Sequence, residues 1–370
     1  MIADKQENKN QFFRSLFWCA AFLMQGLFVP VQASQDRLGG WWRWLCCCDF
    51  GAPEEQPLLR ERQSLLMQSW QLATQLFNAV DVGDQNEVAR LLPMVPEVDG
   101  RPLALQAWCT GEQGQGISLL HLAAWRGHTE IVQMLVDHGA NVLLRDRSSC
   151  GSSPLHGVRK REIAQILLDA GADINARDNS GQTPLCAALS WGFRDFQRYR
   201  IESYLDVAQF LVEKGADVNI PNKKGIAPLR MAISWRQESL ARLLIEKGAC
   251  LDACDLQGWT SLHQAAFQCL QGIISYMIEK GASVNVRDSQ GNTPLMVCMG
   301  SQSWNLRTAR TLIAYGADIN LQGREGRTPL HVAFIHRAVE LAELLMAEGA
   351  DVNIRDNLGK TPLFYAAECT

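Results

Sequence analysis

The sequence predicts an all-α solenoid of stacked helix-turn-helix units with projecting loops, and three observations carry that expectation. A Gly-Ala phrase recurs as GANVL at Gly139, GADIN at Gly171, GADVN at Gly215, GACLD at Gly248, GASVN at Gly281, GADIN at Gly316 and GADVN at Gly349. Three steps between these glycines are 33 residues and the others are 32, 44 and 35, so one unit repeats with local insertions and deletions. Between the phrases, apolar residues fall at i, i+3, i+4 spacing, as in Leu240, Leu243 and Leu244 or Leu341, Leu344 and Leu345.

One unit, Gly326 to Asn353, justifies each element in turn. After the turn glycine, Thr328-Pro329 suits a helix start, because the first turn has no use for the N–H that proline lacks. Leu330, Ala333 and Phe334 give that short helix an apolar side, and the small alanine admits a close neighbour. The second helix follows with its leucine stripe. Gly349 ends it, as a left-handed cap would. An extended pair, Val352-Asn353, then leads to the turn Asp356 to Gly359 before the next Thr-Pro. Such a unit cannot bury its own apolar faces, so only stacking makes a core.

The first helices open on a shared motif: TPLHVAF at Thr328, SLLHLAA at Ser118, SPLHGVR at Ser153, TSLHQAA at Thr260, TPLCAAL at Thr183 and TPLMVCM at Thr293. With the shared period, these residues make the chain resemble the ankyrin repeat family over 71–370, with a degenerate N-terminal cap, seven full repeats and a partial last one. Residues 1–70 form a separate targeting or membrane-associated segment and linker.

Departures from the period are specific. Thr74 to Leu92 fits the template with a polar first helix, as a solvent-facing cap would. Pro93 to Gly116 is too long for a standard loop, and its Pro and Gly content predicts irregular structure. The unit at Ser153 lacks about three residues between its helices, and that at Thr183 gains about eleven, judged against the repeat period. At the other end, GKTPLFYAAECT stops after one helix with an apolar outer face, which makes a poor cap and raises the expectation that the chain continues.

Composition narrows function. At 370 residues, 47% hydrophobic and net charge −4, the chain buries a large core and has no overall basic character to favour nucleic acid. Of its 12 cysteines, most stand singly at small or apolar positions, which argues against a disulfide framework. Near the start, Arg14 to Ser34 is an apolar run ending in the cleavage-like Val31-Gln32-Ala33, followed by Trp41 to Cys48, WWRWLCCC. A cleaved secretory signal, a retained membrane anchor through residues 12–48, and a helix packed on the stack all fit. The expected location is membrane-associated or secreted, with cytoplasmic as the alternative.

Enzyme signatures dissolve into the repeat. Gly359-Lys360-Thr361 looks like the end of a phosphate loop, but Ile354 stands where that loop requires glycine. Cys250, Cys254 and His263 do not make a metal site, since only one such pair exists and Cys250 fills a variable slot. His121, His156, His263 and His331 share one motif position, and the resemblance implies a shared capping or inter-repeat role for them. No catalytic residue, cofactor or metal is expected.

The resemblance also implies that residues late in the first helix and at the loop tips line a concave groove. Here they are Trp125, Arg126, Trp191, Trp235, Arg236, Phe267, Ile335, His336 and Arg337. Tryptophan and arginine dominate binding hot spots, so a protein partner is expected at this groove. A nucleic-acid partner is not, because the loop tips also carry Asp146, Asp178, Asp255, Asp288 and Asp356. The resulting expectation is a non-enzymatic protein-binding module; the alternatives are a membrane-tethered adaptor or the targeting portion of a larger enzyme.

Overall fold

The computed structural model describes residues 71–95, 97–98, 101–102, 109–110, 116–194, 201–299 and 305–368. The expectations for residues 1–70, including the apolar run and the tryptophan-cysteine cluster, lie outside them. Residues 71–82 form α1 and Gln85–Leu91 forms α2, capped by Asp84 on the Glu87 N–H at 3.0 Å. Then come α3 (Leu119–Arg126), α4 (Thr129–Asp137), a 3-10 turn (Pro154–Gly157), α5 (Arg161–Asp169), α6 (Pro184–Arg194) and α7 (Ile201–Glu213). The rest is α8 (Pro228–Ser234), α9 (Glu238–Glu246), α10 (Ser261–Phe267), α11 (Gln271–Glu279), α12 (Pro294–Met299), α13 (Leu306–Ala314), α14 (Pro329–Ile335), α15 (Val339–Ala347) and α16 (Pro362–Glu368).

First helices pack on first helices and second on second, as α10 on α12 and α11 on α13 do. The leucine two places after the first residue of each motif forms the spine of the core: Leu120, Leu155, Leu185, Leu229, Leu262, Leu295 and Leu330 are all buried. Leu363, at the same place in the last unit, is 67% exposed, because within the described residues nothing lies over that face. Every Gly-Ala glycine adopts the left-handed conformation, with φ +85° at Gly248 and +91° at Gly349, as the helix-ending role requires.

The irregular units resolve in three ways. Losing residues at Ser153 leaves room for only a single 3-10 turn where the other units have a helix. The insertion at Thr183 lengthens both helices, to 11 residues in α6 and 13 in α7. Pro93 to Gly116 is less irregular than expected. It carries two antiparallel ribbons, β1 (Glu97–Val98) with β2 (Arg101–Pro102), and β3 (Cys109–Thr110) with β4 (Gly116–Ile117). The register pairing Val98 with Arg101 spans Asp99-Gly100, a dipeptide suited to a two-residue hairpin.

Candidate partner-binding groove

Consecutive loops, here called fingers, are joined tip to tip. The Asn179 N–H donates to Cys150 O at 2.6 Å, Lys223 to Ser180 O at 2.9 Å, Leu256 to Lys224 O at 3.2 Å and Ser289 to Gln257 O at 2.9 Å. Arg147 bonds Gly116 O at 2.7 Å, so the β3–β4 ribbon is the first finger of this row. The Asn357 N–H reaches Glu325 O at 2.9 Å, while Arg324 uses the side chain of Asn292 instead, at 3.3 Å. The fingers therefore form one continuous edge beside the first helices.

Each finger turn is folded by its aspartate. Oδ1 of Asp178 accepts the N–H groups of Ser180 and Gln182, both at 2.8 Å, and Asp288 and Asp356 repeat the pattern. These carboxylates are buried together with that of Asp255, so they are turned into the finger rather than presented on its surface. Arg145, Arg147, Arg177, Lys223 and Lys224 are exposed on the N-terminal fingers, and Arg287, Arg324 and Arg355 on later ones. Glu325 is an exposed carboxylate at a finger tip, and the stretches leading from the second helices into the fingers carry the exposed Asp173, Asp217, Asp252, Asp318 and Asp351.

The turns between first and second helices hold the other candidate residues. Gly83 and Gly127 stand there with φ +85° and +79°, but in three units the same left-handed position is filled by Arg236 (φ +56°), Cys269 (φ +59°) and Arg337 (φ +60°). A side chain in this conformation costs about 1 kcal/mol or more. Arg236 is exposed and its Nη1 lies 3.4 Å from Gln268 Oε1 of the next unit. Arg337 and His336 are exposed, and Ile335 and Trp235 are half-buried.

Trp125 is 42% exposed and lies between two guanidinium groups, Arg126 at 5.2 Å and Arg159 at 5.3 Å from its ring centre. Arg126 also pairs with Asp81 at 2.6 Å. Trp191 falls in α6, but its side chain lies outside the description. The candidates thus come from five units, those opening at Ser118, Thr183, Ala227, Thr260 and Thr328. Direct contact joins Trp125 to Arg126 and Arg236 to the unit of Phe267.

One participant escaped the sequence reading. Trp259 fills the slot before Thr260, where other units place Gln182, Asn292, Arg327 or Lys360. Its ring stacks on His263 at 6.1 Å, meets the edge of Phe267 at 5.8 Å, and lies 5.7 Å from the Arg230 guanidinium. Arg230 forms a short ion pair with Asp255, whose side chain is almost wholly buried. Burial opposes ionisation of Asp255, but the Arg230 hydrogen bond and the Trp259 N–H outweigh it and hold the carboxyl below its usual range. A large aromatic in a slot that other units fill with polar residues or isoleucine was the available signal. Phe267 is 43% exposed and Leu256, at the same finger tip, 73%.

The recurring histidines form the stack's internal ties. The Nδ1 of His263 and His331 accepts from the N–H of Thr260 and Thr328, at 3.2 and 3.1 Å. That leaves the proton on Nε2, which donates to the carbonyl before the next motif: Ser152 for His121, Gln182 for His156, Asn292 for His263, Lys360 for His331. Burial pushes all four below the usual histidine range. Gly359-Lys360-Thr361 is an ordinary finger turn, with the Gly359 N–H on Asp356 O at 2.9 Å and Lys360 over the Phe364 ring. Among the described residues, no group of three or more His, Cys, Asp or Glu side chains is placed to hold a metal ion.

A family model described as ankyrin repeats, in three copies, matches residues 76–178, 120–219, 199–288 and 295–370. A comparison with curated proteins gives no match. Ankyrin repeats are generally protein-protein interaction modules and typically non-enzymatic. Helix pairs closed by left-handed glycines, histidine ties at a fixed motif position and that match across most of the chain lead to one assignment: the chain belongs to the ankyrin repeat family.

Proposed function

We propose that this chain is a non-enzymatic binding module that grips a protein partner along the row made by the fingers and the ends of the first helices. The observation that carries this reading is the set of exposed aromatic and cationic side chains, Trp125, Phe267, Arg236 and Arg337, held on a scaffold whose buried polar groups are turned to structural use. Arg236 and Arg337 stand in a conformation that glycine would adopt without strain, and such strain accumulates where a side chain is used. A preformed surface lowers the ordering cost of binding. Residues 1–70 then serve as an address or tether that brings the module to a membrane or secretory route, on the strength of their apolar run.

The test is capture of a partner by the full chain, compared with variants. Trp125→Ala with Phe267→Ala should abolish capture, whereas Glu343→Ala on α15 should not. Capture that survives the double variant and is lost with Glu343→Ala would move the site to the second helices.

A further inference from the structure

The finger tips are mostly cationic, and one finger near the middle of the row is apolar instead, although Leu358 is also exposed on the last finger. Towards the N-terminus the tips carry Arg145, Arg147, Arg177, Lys223 and Lys224, all exposed. Towards the C-terminus they carry Arg324, Arg355 and the half-buried Arg327 and Lys360. Between them the finger 253–259 has no cation, and its carboxylate, Asp255, is buried against Arg230. That finger displays Leu256 and Trp259 instead, with Phe267 beside them on α10. Two second helices lean the other way, α4 with Glu130 and Asp137 and α15 with Glu340 and Glu343 and no lysine or arginine on either, whereas α13 carries Arg307 and Arg310. A chain of net charge −4 thus carries cations on the finger tips to either side of an apolar finger.

On the reading of this edge as a protein-binding face, we infer that the partner presents an extended acidic segment with a large apolar residue at its middle. That residue sits on Leu256, Trp259 and Phe267, and the carboxylates meet the cationic fingers on either side. Each finger is two backbone passes wide, so the row advances about 10 Å per unit, and an extended chain covers that in about three residues. In the polyproline II conformation, with three residues per turn and about 3.1 Å per residue, acidic residues at every third position lie on one side and face successive fingers. The apolar centre favours polypeptide over nucleic acid, whose charge is uniform along its length.

The experiment uses the full chain and three labelled probes. These are a peptide of about 12 residues with Glu at every third position and a central Trp, the same peptide with Gln for Glu, and single-stranded oligo-dT. The Glu peptide should bind at least about tenfold more tightly than the Gln peptide, and the advantage should shrink with added salt. Lys223→Glu with Lys224→Glu should erase the advantage, and Leu256→Ser should weaken both peptides. Equal binding of the two peptides, binding of neither, or tighter binding of oligo-dT would overturn the inference. Equal peptide binding that still depends on Leu256 would leave the edge a protein-binding face and remove only the charge assignment. Where neither peptide binds, capture of a partner that depends on Trp125 and Phe267 decides the broader reading separately.

Discussion

Nε2 of His331 donates to the carbonyl oxygen of Lys360 at 3.1 Å, so the first helix of one repeat is bonded to the finger that opens the next. The same tie links His121, His156 and His263 to their following fingers, and in each the Nδ1 faces the motif Ser or Thr hydroxyl, an acceptor role that only the neutral imidazole keeps.

Stability should therefore fall on mild acidification. Burial lowers the four histidines below their unfolded value, so between the two values the unfolded chain binds more protons, and stability rises with pH. The contribution is complete above the unfolded value of about 6.5 and is lost as pH drops through the folded ones. Urea midpoints should drop between about pH 7.5 and about pH 5.5, and His263→Leu should flatten that dependence even as it lowers the midpoint. A midpoint that rises over this range would contradict the assignment of these imidazoles as neutral donors.

Two glycines with similar backbone should differ in tolerance. Gly248 has φ +85° and open space where a side chain would begin, so Gly248→Ala should cost about 1 kcal/mol, the strain of the left-handed conformation alone. Gly258 has φ +77°, and an added Cβ would lie 2.6 Å from the Ser289 backbone nitrogen across the finger junction. Gly258→Ala should cost about 2 kcal/mol or more, and hydrogen exchange should rise first at the Ser289 N–H. Conversely, Arg236→Gly and Arg337→Gly should each stabilise by about 0.5 kcal/mol, the relieved strain less glycine's added unfolded-state entropy. Both should weaken partner capture.

Breaking the Arg230–Asp255 pair should be costly in a way that exposed pairs are not. Asp255→Ala strands a mostly buried guanidinium and removes the acceptor for the Gln257 and Trp259 N–H groups, so a loss of about 3 kcal/mol is expected by chemical denaturation. Glu87→Ala, which removes the exposed partner of Arg90, should leave the midpoint unchanged.

The division between what the letters disclosed and what they concealed follows sequence separation. Caps, left-handed glycines and the Thr-x-x-His box involve residues within a few positions of each other, so Gly248, Gly349 and His331 were readable from one unit at a time. The ties from His331 to Lys360, and from finger to finger, span about one repeat period; only the shared position of the histidines hinted at them. Side-chain direction was least legible. The finger aspartates read as surface charge, yet their bonds to the N–H groups two and four residues on turn them inward. Trp259 went unremarked in the sequence, because its partners Arg230 and His263 belong to two different units. The contraction at Ser153 was visible as missing residues, but not as a 3-10 turn, since deletion length does not say which helix yields.

Exposure within the aromatic cluster allows folding and recognition to be separated. Trp259 is half-buried between the His263 ring and the Arg230 guanidinium, so Trp259→Ala should lower stability by about 1–2 kcal/mol as well as weaken binding. Phe267 touches that cluster by one edge and faces solvent on the other side. Phe267→Ala should therefore leave the unfolding midpoint nearly unchanged and weaken partner binding by about 2 kcal/mol, the loss typical of a central hot spot. Trp235→Ala, at the half-buried end of α8 one unit earlier, should fall between the two. Lys223→Ala, a rim charge, should cost less than any of them. Titration calorimetry with the captured partner and parallel denaturation give both axes. If Phe267→Ala unfolds the stack while affinity per folded molecule holds, the ring is a packing residue and the recognition face lies elsewhere on the row.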